Sequence, residues 1–346
     1  MKRYQFIFLA TVLFLAFLMS PSVWAQPVVL KSLTMPPKQA ALAKSFDMFL
    51  DDIEKRTDGR VKFERYYSAS LARPNEMLEA CGIGMFDIFT MVSDYYPGKV
   101  PLATVGGLPG AAENVWVTGK AYLEIHKTLP AMEKEMMRNN VKTVSSWGTA
   151  SFHLLSKKKV QSLEELKGLK IGAAGQQARL MKALGATPVA LSFNDAFTAL
   201  QRGTVDGGIY GPDALLAFGL HEAAKYYWKV TVGGGVQPIA MNLDKWKGLP
   251  ADIQKIILDA GEDFPKSHEN FYQLKATAGA LGALKKIGVT ITEPSEETKA
   301  ALKKITREQV WTQWAKGLEA KGQPGSKIMD IYLKALEKYT ALHSSK

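Results

Sequence analysis

From residue 28 onward the chain alternates between two hydrophobic periods. Short runs of β-branched and aromatic residues give way to longer stretches in which apolar positions recur every three or four residues. "VVLKSLTM" (28–35) predicts a strand. Pro36 and Pro37 then predict the opening of a helix over "KQAALAKSFDMFLDDIEKRT", whose Leu42, Phe46, Phe49, Leu50 and Ile53 share one stripe before Gly59 ends it. The unit repeats as a strand "RVKFERYY", a helix "PNEMLEACGIG" and a strand "FDIFTMV", followed by a loop holding Pro97, Gly98 and Pro101.

A second set follows "VKTVSSWG", with strands predicted at "SFHLLS", "GLKIGAA", "TPVAL" and "VDGGIY" and helices at "GQQARLMKALG" and "NDAFTALQRG". "VTVGGGVQPIAMNL" predicts one strand crossing back, and residues 249–284 a nearly continuous helix interrupted at Pro265. The remainder is helical and charged, with a break at "GQPGS". Such alternation predicts a layered α/β protein. Two sets joined by a chain that crosses between them at least twice predict two lobes and a hinged cleft, with ligands at the carboxyl ends of the strands.

The amino terminus breaks this rhythm. Lys2 and Arg3 precede the apolar "FIFLATVLFLAFLM", and Val23 and Ala25 stand three and one residues before a cleavage site at Gln26. This predicts a signal peptide over residues 1–25, export, and no stable membrane insertion after cleavage. Cys81 is the only cysteine, so no intramolecular disulfide and no Cys-based zinc site is expected. The formal charge of +11 is dispersed through segments such as "SKKK" and "ALKKITREQ", without interleaved aromatics, and predicts no nucleic-acid partner.

Candidate chemistry is sparse. No G-x-S-x-G elbow occurs, "HEAAK" lacks the second histidine of a zinc-protease helix, and His126, His153, His268 and His343 are scattered singly. "SKKK" places Ser156 and Lys159 in the S-x-x-K pattern, which defines a secreted serine hydrolase as the rival reading, although no S-D-N or K-T-G partner follows. The glycine clusters at 82–84, 207–211 and 233–235 lack phosphate-loop spacing and fit turns. No catalysis, metal or cofactor is expected. Aromatic residues gather near predicted strand ends: Tyr66, Tyr67, Tyr95, Tyr96, Trp147, Phe152, Phe193 and Tyr210. Their placement favours an apolar or aromatic pocket.

Four segments carry a resemblance: "LEELKGLKIG" (163–172), "MKALGATPVALSFNDAFTALQRGTVDG" (181–207), "LHEAAKYY" (220–227) and "NLDKWKGLPADIQKII" (242–257), supported by "GMFDI" and "GGLP". On these the chain resembles the DctP-type periplasmic solute-binding receptors of tripartite ATP-independent (TRAP) transporters. The resemblance implies a two-lobed periplasmic-binding-protein-like α/β fold with a hinged ligand cleft and a long helix spanning both lobes. The implied division is 26–148 plus about 237–275 for lobe I, 149–236 plus about 276–320 for lobe II, and a C-terminal helical segment over 321–346. It further implies a periplasmic receptor that delivers a small organic molecule, an acid with an aromatic or apolar body, to TRAP membrane permease subunits. A receptor that presents its ligand to a sensor protein would have the same sequence features.

The chain departs from the pattern of the family it resembles at two positions, one of them near Ser151 or Phe152, where a second basic residue of the family is missing. The family segment ends in an arginine that clamps the ligand carboxylate, and here that position is Gly172. Three replacements are open: Arg73 from the opposite lobe, Arg179 on the following helix, or the backbone N–H groups of residues 174–177 at that helix's N-terminus. The expected pocket comprises Arg73, Ser93, Tyr95, Trp147, Thr149, Phe152, Gly172, Ala174, Phe193, Tyr210 and Asp213.

Overall fold

The computed structural model describes residues 26–111 and 113–345, so the expected signal peptide lies outside the described residues. Eleven strands form two sheets among these residues. The first holds β1 (Val28–Leu33), β2 (Val61–Tyr66), β3 (Ile88–Thr90), β4 (Val141–Gly148) and, from much later in the chain, a strand over Val236–Asn242. The second holds β5 (Phe152–Ser156), β6 (Lys170–Gly172), β7 (Thr187–Val189), β8 (Gly207–Tyr210), β9 (Tyr226–Gly233) and a strand over Thr290–Thr292. With Val236–Asn242 as β10 and Thr290–Thr292 as β11, the orders are β2-β1-β3-β10-β4 and β11-β9-β5-β8-β6-β7. Each sheet is mixed: β1, β2 and β3 run parallel and β10 antiparallel to β3 and β4, while β6, β7 and β8 run parallel and β5 antiparallel to β8 and β9.

The lobes are joined where β4 passes into β5 and where β9 passes into β10. The single strand expected over "VTVGGGVQPIAMNL" is therefore two, broken where Gly234 takes φ 104°. Only glycine adopts that backbone readily. The two crossings are tied to each other: the Thr149 N–H donates to the Gly235 carbonyl at 2.7 Å, and the Gly235 N–H donates to Thr149 Oγ1 at 2.9 Å.

The helix over Ala41–Arg56 buries Phe46, Phe49, Leu50 and Ile53 along its stripe. It begins later than the proline pair predicted, with Ala40 in extended backbone as its N-cap. The long helix runs from Ala251 through Lys286 without a break. Pro265 does not interrupt it: the Gly261 carbonyl, which loses the proline N–H, accepts from Ser145 Oγ at 2.8 Å instead, and the later turns Glu269–Thr277 are π-helical. Its first part packs on β4 and on the helix Ala41–Arg56, and its last part on the helix Pro212–Ala217 of the second lobe. The long helix thus spans both lobes. A further crossing is made by the helix Glu296–Ile305 and the π-helical Thr306–Trp311, after which Gly325–Ser344 packs on the first-lobe helix Val115–Thr128.

Each lobe has its own core, around Phe46, Phe49, Trp147 and Phe264 in the first and around Leu155, Leu200, Tyr227 and Leu284 in the second. A further cluster continues from Phe89 and Tyr122 to Phe152 and Trp228, so apolar packing is unbroken across the lobes.

Candidate functional site

The carboxyl ends of β6 and β8 set the site. Gly172 and Gly208 face each other in register on these parallel neighbours. The Tyr210 side chain folds back over them. A Cβ at Gly208 would overlap its ring, and a Cβ at Gly172 would stand 3.3 Å from its hydroxyl. The space where the resemblance would place an arginine side chain is therefore occupied by a tyrosine lying on a floor of two glycines. Its hydroxyl is buried and has no hydrogen-bond partner among the described residues.

An aromatic row continues from Tyr210. Phe193 lies 5.5 Å from it, meets Phe152 edge-on at 5.9 Å, and stacks on Phe218 at 6.0 Å. Phe152, Phe193 and Phe218, with Ala214 and Ala217, face Met35, Pro36, Ala40 and Leu42 of the first lobe across a closed pocket with about 20 Å³ of free volume. Three polar residues complete the lining: Asp213, Gln237 and Tyr272.

The roles of these polar groups follow from their partners. The Tyr272 hydroxyl donates to Asp213 Oδ1 at 3.0 Å. Burial pushes the Asp213 carboxyl up to about 6 against the downward pull of that bond. Trp147 Nε1 donates to Gln237 Oε1 at 3.1 Å. Because an indole N–H only donates, the Gln237 oxygen must face Trp147, which turns the amide NH₂ the other way. Behind the pocket, the Trp147 ring stacks on His268 at 5.2 Å and His268 on Tyr272 at 4.9 Å. His268 Nε2 meets the Gly148 carbonyl at 2.7 Å and Nδ1 meets Ser45 Oγ at 2.6 Å. A carbonyl only accepts, so Nε2 carries the proton and Nδ1 accepts from Ser45. Burial lowers the His268 pKa to about 4 and keeps the ring neutral.

The helix N-terminus expected as a seat for a ligand anion is already taken. Asp94 reaches from the first lobe into a slot between Gly107 and Gly175, where a Cβ at either glycine would overlap its carboxyl. Gly175, at φ 53°, opens the helix Gly175–Ala183. The Gln176 N–H and the Arg179 charge both favour the Asp94 carboxylate, yet burial outweighs them and raises its pKa to about 7.

The expected site residues separate into groups. Phe152, Phe193 and Asp213 line the pocket, while Gly172 and Tyr210 lie next to it, Tyr210 packing on Phe193. Ser93 is buried, and Tyr95 packs beside it with its hydroxyl directed to the Phe193 backbone. Ala174 is the N-cap of the helix that receives Asp94. Trp147 is fully buried in the first-lobe core and reaches the pocket only through Gln237, so it is no wall of the cleft. Thr149 works in the crossing between lobes. Arg73 is exposed, lies outside the pocket lining and has no partner among the described residues; an arginine in a surface loop gains more from water than from an unshared cleft. Gln237 and Tyr272 escaped the sequence reading. Gln237 carried a signal, as a polar residue inside the apolar "VQPIAM", whereas Tyr272 sits on a helix with no mark that it turns toward the cleft.

The hydrolase reading fails on geometry. Ser156 is buried and its hydroxyl donates to the Lys158 carbonyl at 2.7 Å, while Lys159 points to solvent. Among the described residues no three His, Cys, Asp or Glu side chains gather as a metal site, and no helix is long and apolar enough to cross a membrane.

Two α/β lobes, strand and helix crossings between them, and an aromatic pocket shared by both define a cleft-closing solute receptor. The chain belongs to the DctP family, bacterial extracellular solute-binding protein family 7, whose profile matches residues 34–317. It is 26% identical over 305 residues to the C4-dicarboxylate-binding periplasmic protein DctP of Rhodobacter capsulatus, covering 86% of this chain and 89% of that protein. Its fold matches a TRAP solute-binding protein from Rhodoferax ferrireducens T118 in complex with copurified benzoate (TM-score 0.83, 21% identity, 91% and 99% of the two chains). It also matches a marine metagenome TRAP protein in complex with 3-hydroxybenzoate (TM-score 0.82, 23% identity, 91% and 99%). The protein is thus an extracytoplasmic solute receptor of the TRAP type, which hands its ligand to a membrane permease, and not an enzyme.

Proposed function

We propose that the receptor captures a small organic acid with an aromatic body, and that a neutral hydroxyl replaces the family's guanidinium as the partner of the ligand carboxylate. The observation that carries this reading is the Tyr210 hydroxyl, buried and unpartnered on the Gly172/Gly208 floor beside an aromatic pocket. A buried hydroxyl without a partner costs about 1–3 kcal/mol, which a ligand oxygen would recover. With room for little more than a water, the pocket must open to admit the ring, which Phe152, Phe193 and Phe218 then line, and Gln237 adds an amide donor. Asp213, held by Tyr272, accepts from a ligand hydroxyl, so hydroxylated aromatic acids fit better than their parents. Solutes named for two structural neighbours, benzoate and 3-hydroxybenzoate, are of this class. A C4-dicarboxylate, the solute named for the Rhodobacter relative, would bring a second carboxylate into a pocket without a cation.

A thermal-shift series on the mature protein with benzoate, 3-hydroxybenzoate and succinate tests the reading. At a hundredfold excess over the dissociation constant the aromatic acids should stabilise by about 2.7 kcal/mol. Succinate should leave Tm unchanged. Stabilisation by succinate with no response to either aromatic acid would overturn the proposal.

A further inference from the structure

A cavity of about 500 Å³ lies apart from the aromatic pocket, on the hinge. Its walls come from both lobes and from three of the segments that cross between them. Leu108 and Pro109 belong to the first lobe, Thr149, Ser151 and residues 233–235 to the two strand crossings, and Lys299, Lys303 and Arg307 to the helical crossing. The lining carries four cations, Lys229, Lys299, Lys303 and Arg307, against two carboxylates, Glu113 and Glu293. Two of the cations are neutralised locally: Lys229 pairs with Glu293 at 2.6 Å and Lys299 with Glu296 at 2.7 Å. Lys303 and Arg307 have no carboxylate partner among the described residues. They stand four residues apart, one turn of the crossing helix, and so project on one side. Arg307 is half-buried with its guanidinium 3.9 Å over the Trp311 ring, and Trp311 Nε1 donates to the Pro109 carbonyl at 2.9 Å. Stacking fixes the plane of the guanidinium and leaves its N–H edge for an acceptor. A half-buried cation without a counter-charge is unfavourable unless an anion supplies one.

We propose that this hinge cavity is a second ligand site, taking a small oxyanion that Arg307 and Lys303 hold against the strand crossings. The site is independent of the aromatic-acid reading of the cleft. Because its walls belong to both lobes, an anion held there binds one lobe angle better than another, and its binding is linked to closure.

The test is titration of the mature protein with sodium phosphate, and separately with sodium acetate, at ionic strength held constant with chloride and followed by ¹H–¹⁵N spectra. The expected result is saturable movement of the Trp311 indole and the residue 233–235 amides with at least one of the two anions. Phosphate alone would assign the site to phosphoryl ligands, and acetate alone to carboxylates. Arg307→Gln should weaken that binding at least tenfold and Lys303→Gln at least threefold, while Lys255→Gln, on an exposed face of the long helix, leaves it unchanged. Lys303 is exposed, so its variant keeps the test decisive should Arg307→Gln fail to fold. Linear, unsaturating shifts with both anions, or equal weakening by Lys303→Gln and Lys255→Gln, would overturn the proposal.

Discussion

The aromatic pocket and the hinge behind it lie within one stack of side chains, yet they treat polar groups in opposite ways. Around His268 and the strand crossings the polar atoms have partners: both nitrogens of His268 are engaged, the Gly148 carbonyl accepts from it, and Thr149 and Gly235 bond to each other. Beside the pocket the Tyr210 hydroxyl is buried and has no partner among the described residues, and the same holds for Asp94 Oδ1 in its slot between Gly107 and Gly175. Native interiors leave few such groups, because each one forfeits its hydration without return. A satisfied network is a device for holding shape, and a cluster of unsatisfied groups in a cleft is a device for gaining a ligand. If that division is right, damage to the hinge should be read in stability and damage to the pocket in affinity.

The largest effect is expected from His268→Ala. It removes a stacked ring, opens a cavity and strands the Gly148 carbonyl in the core. The loss should be about 3–5 kcal/mol in urea unfolding, combining a cavity with an unpaired buried acceptor. The same histidine also sets a pH slope. Its folded pKa, about 4, lies below its unfolded value, so the unfolded chain takes up the proton first and stability falls as pH drops from about 6.5 towards 4. That component of the slope should vanish in the variant. An unchanged urea midpoint would dissolve the distinction between hinge and pocket.

Next in size is Gly172→Arg, which restores the residue the family places there but drives a long cation through the position of the Tyr210 hydroxyl. Affinity for the aromatic acid should fall more than a hundredfold, about 2.7 kcal/mol, and the crowded, unpaired cation should lower Tm as well. Tighter binding in this variant would mean that Tyr210 is an obstacle and not a partner.

Asp94→Asn should give a smaller effect that depends on pH. The Asp94 carboxyl has its pKa raised to about 7 by burial, so its ionised form is the unfavourable one in the closed protein. Stability is fully present below the unfolded value near 4 and is lost as pH rises through about 7. The neutral isostere escapes that loss. Its Tm should match the parent at pH 4 and exceed it by a few degrees at pH 8, and a gain that is greatest at pH 4 would contradict the assignment. Arg73→Ala should do least: an exposed guanidinium outside the pocket changes affinity by less than about threefold, and a tenfold loss in calorimetry would return Arg73 to the site.

Much of this architecture was legible in the chain. Helical and strand periods marked the two α/β sets, because apolar stripes must face a core whatever the fold. The vacancy at Gly172 was legible too, but not its filling. That depends on the register between β6 and β8, which brings Gly208 beside Gly172, and on a side chain that folds back along its own strand. Trp147 misled for a related reason: a tryptophan near a strand end suits a cleft wall or a core equally, and only the packing of Phe46, Phe264 and His268 decides for the core. The helix N-terminus at residues 174–177, one of three replacements the sequence left open, holds Asp94, a residue 80 positions away that no local pattern connects to it. Contacts between lobes are long-range by nature, and they are where local patterns are silent.

The central claim is that a tyrosine hydroxyl does the work of the absent arginine. Tyr210→Phe removes one oxygen and leaves the aromatic row and the glycine floor intact. Calorimetric titration of parent and variant with 3-hydroxybenzoate should show a 10- to 100-fold loss, about 1.4–2.7 kcal/mol, as expected for a hydrogen bond to a charged group. Equal affinity in the two proteins would contradict the claim.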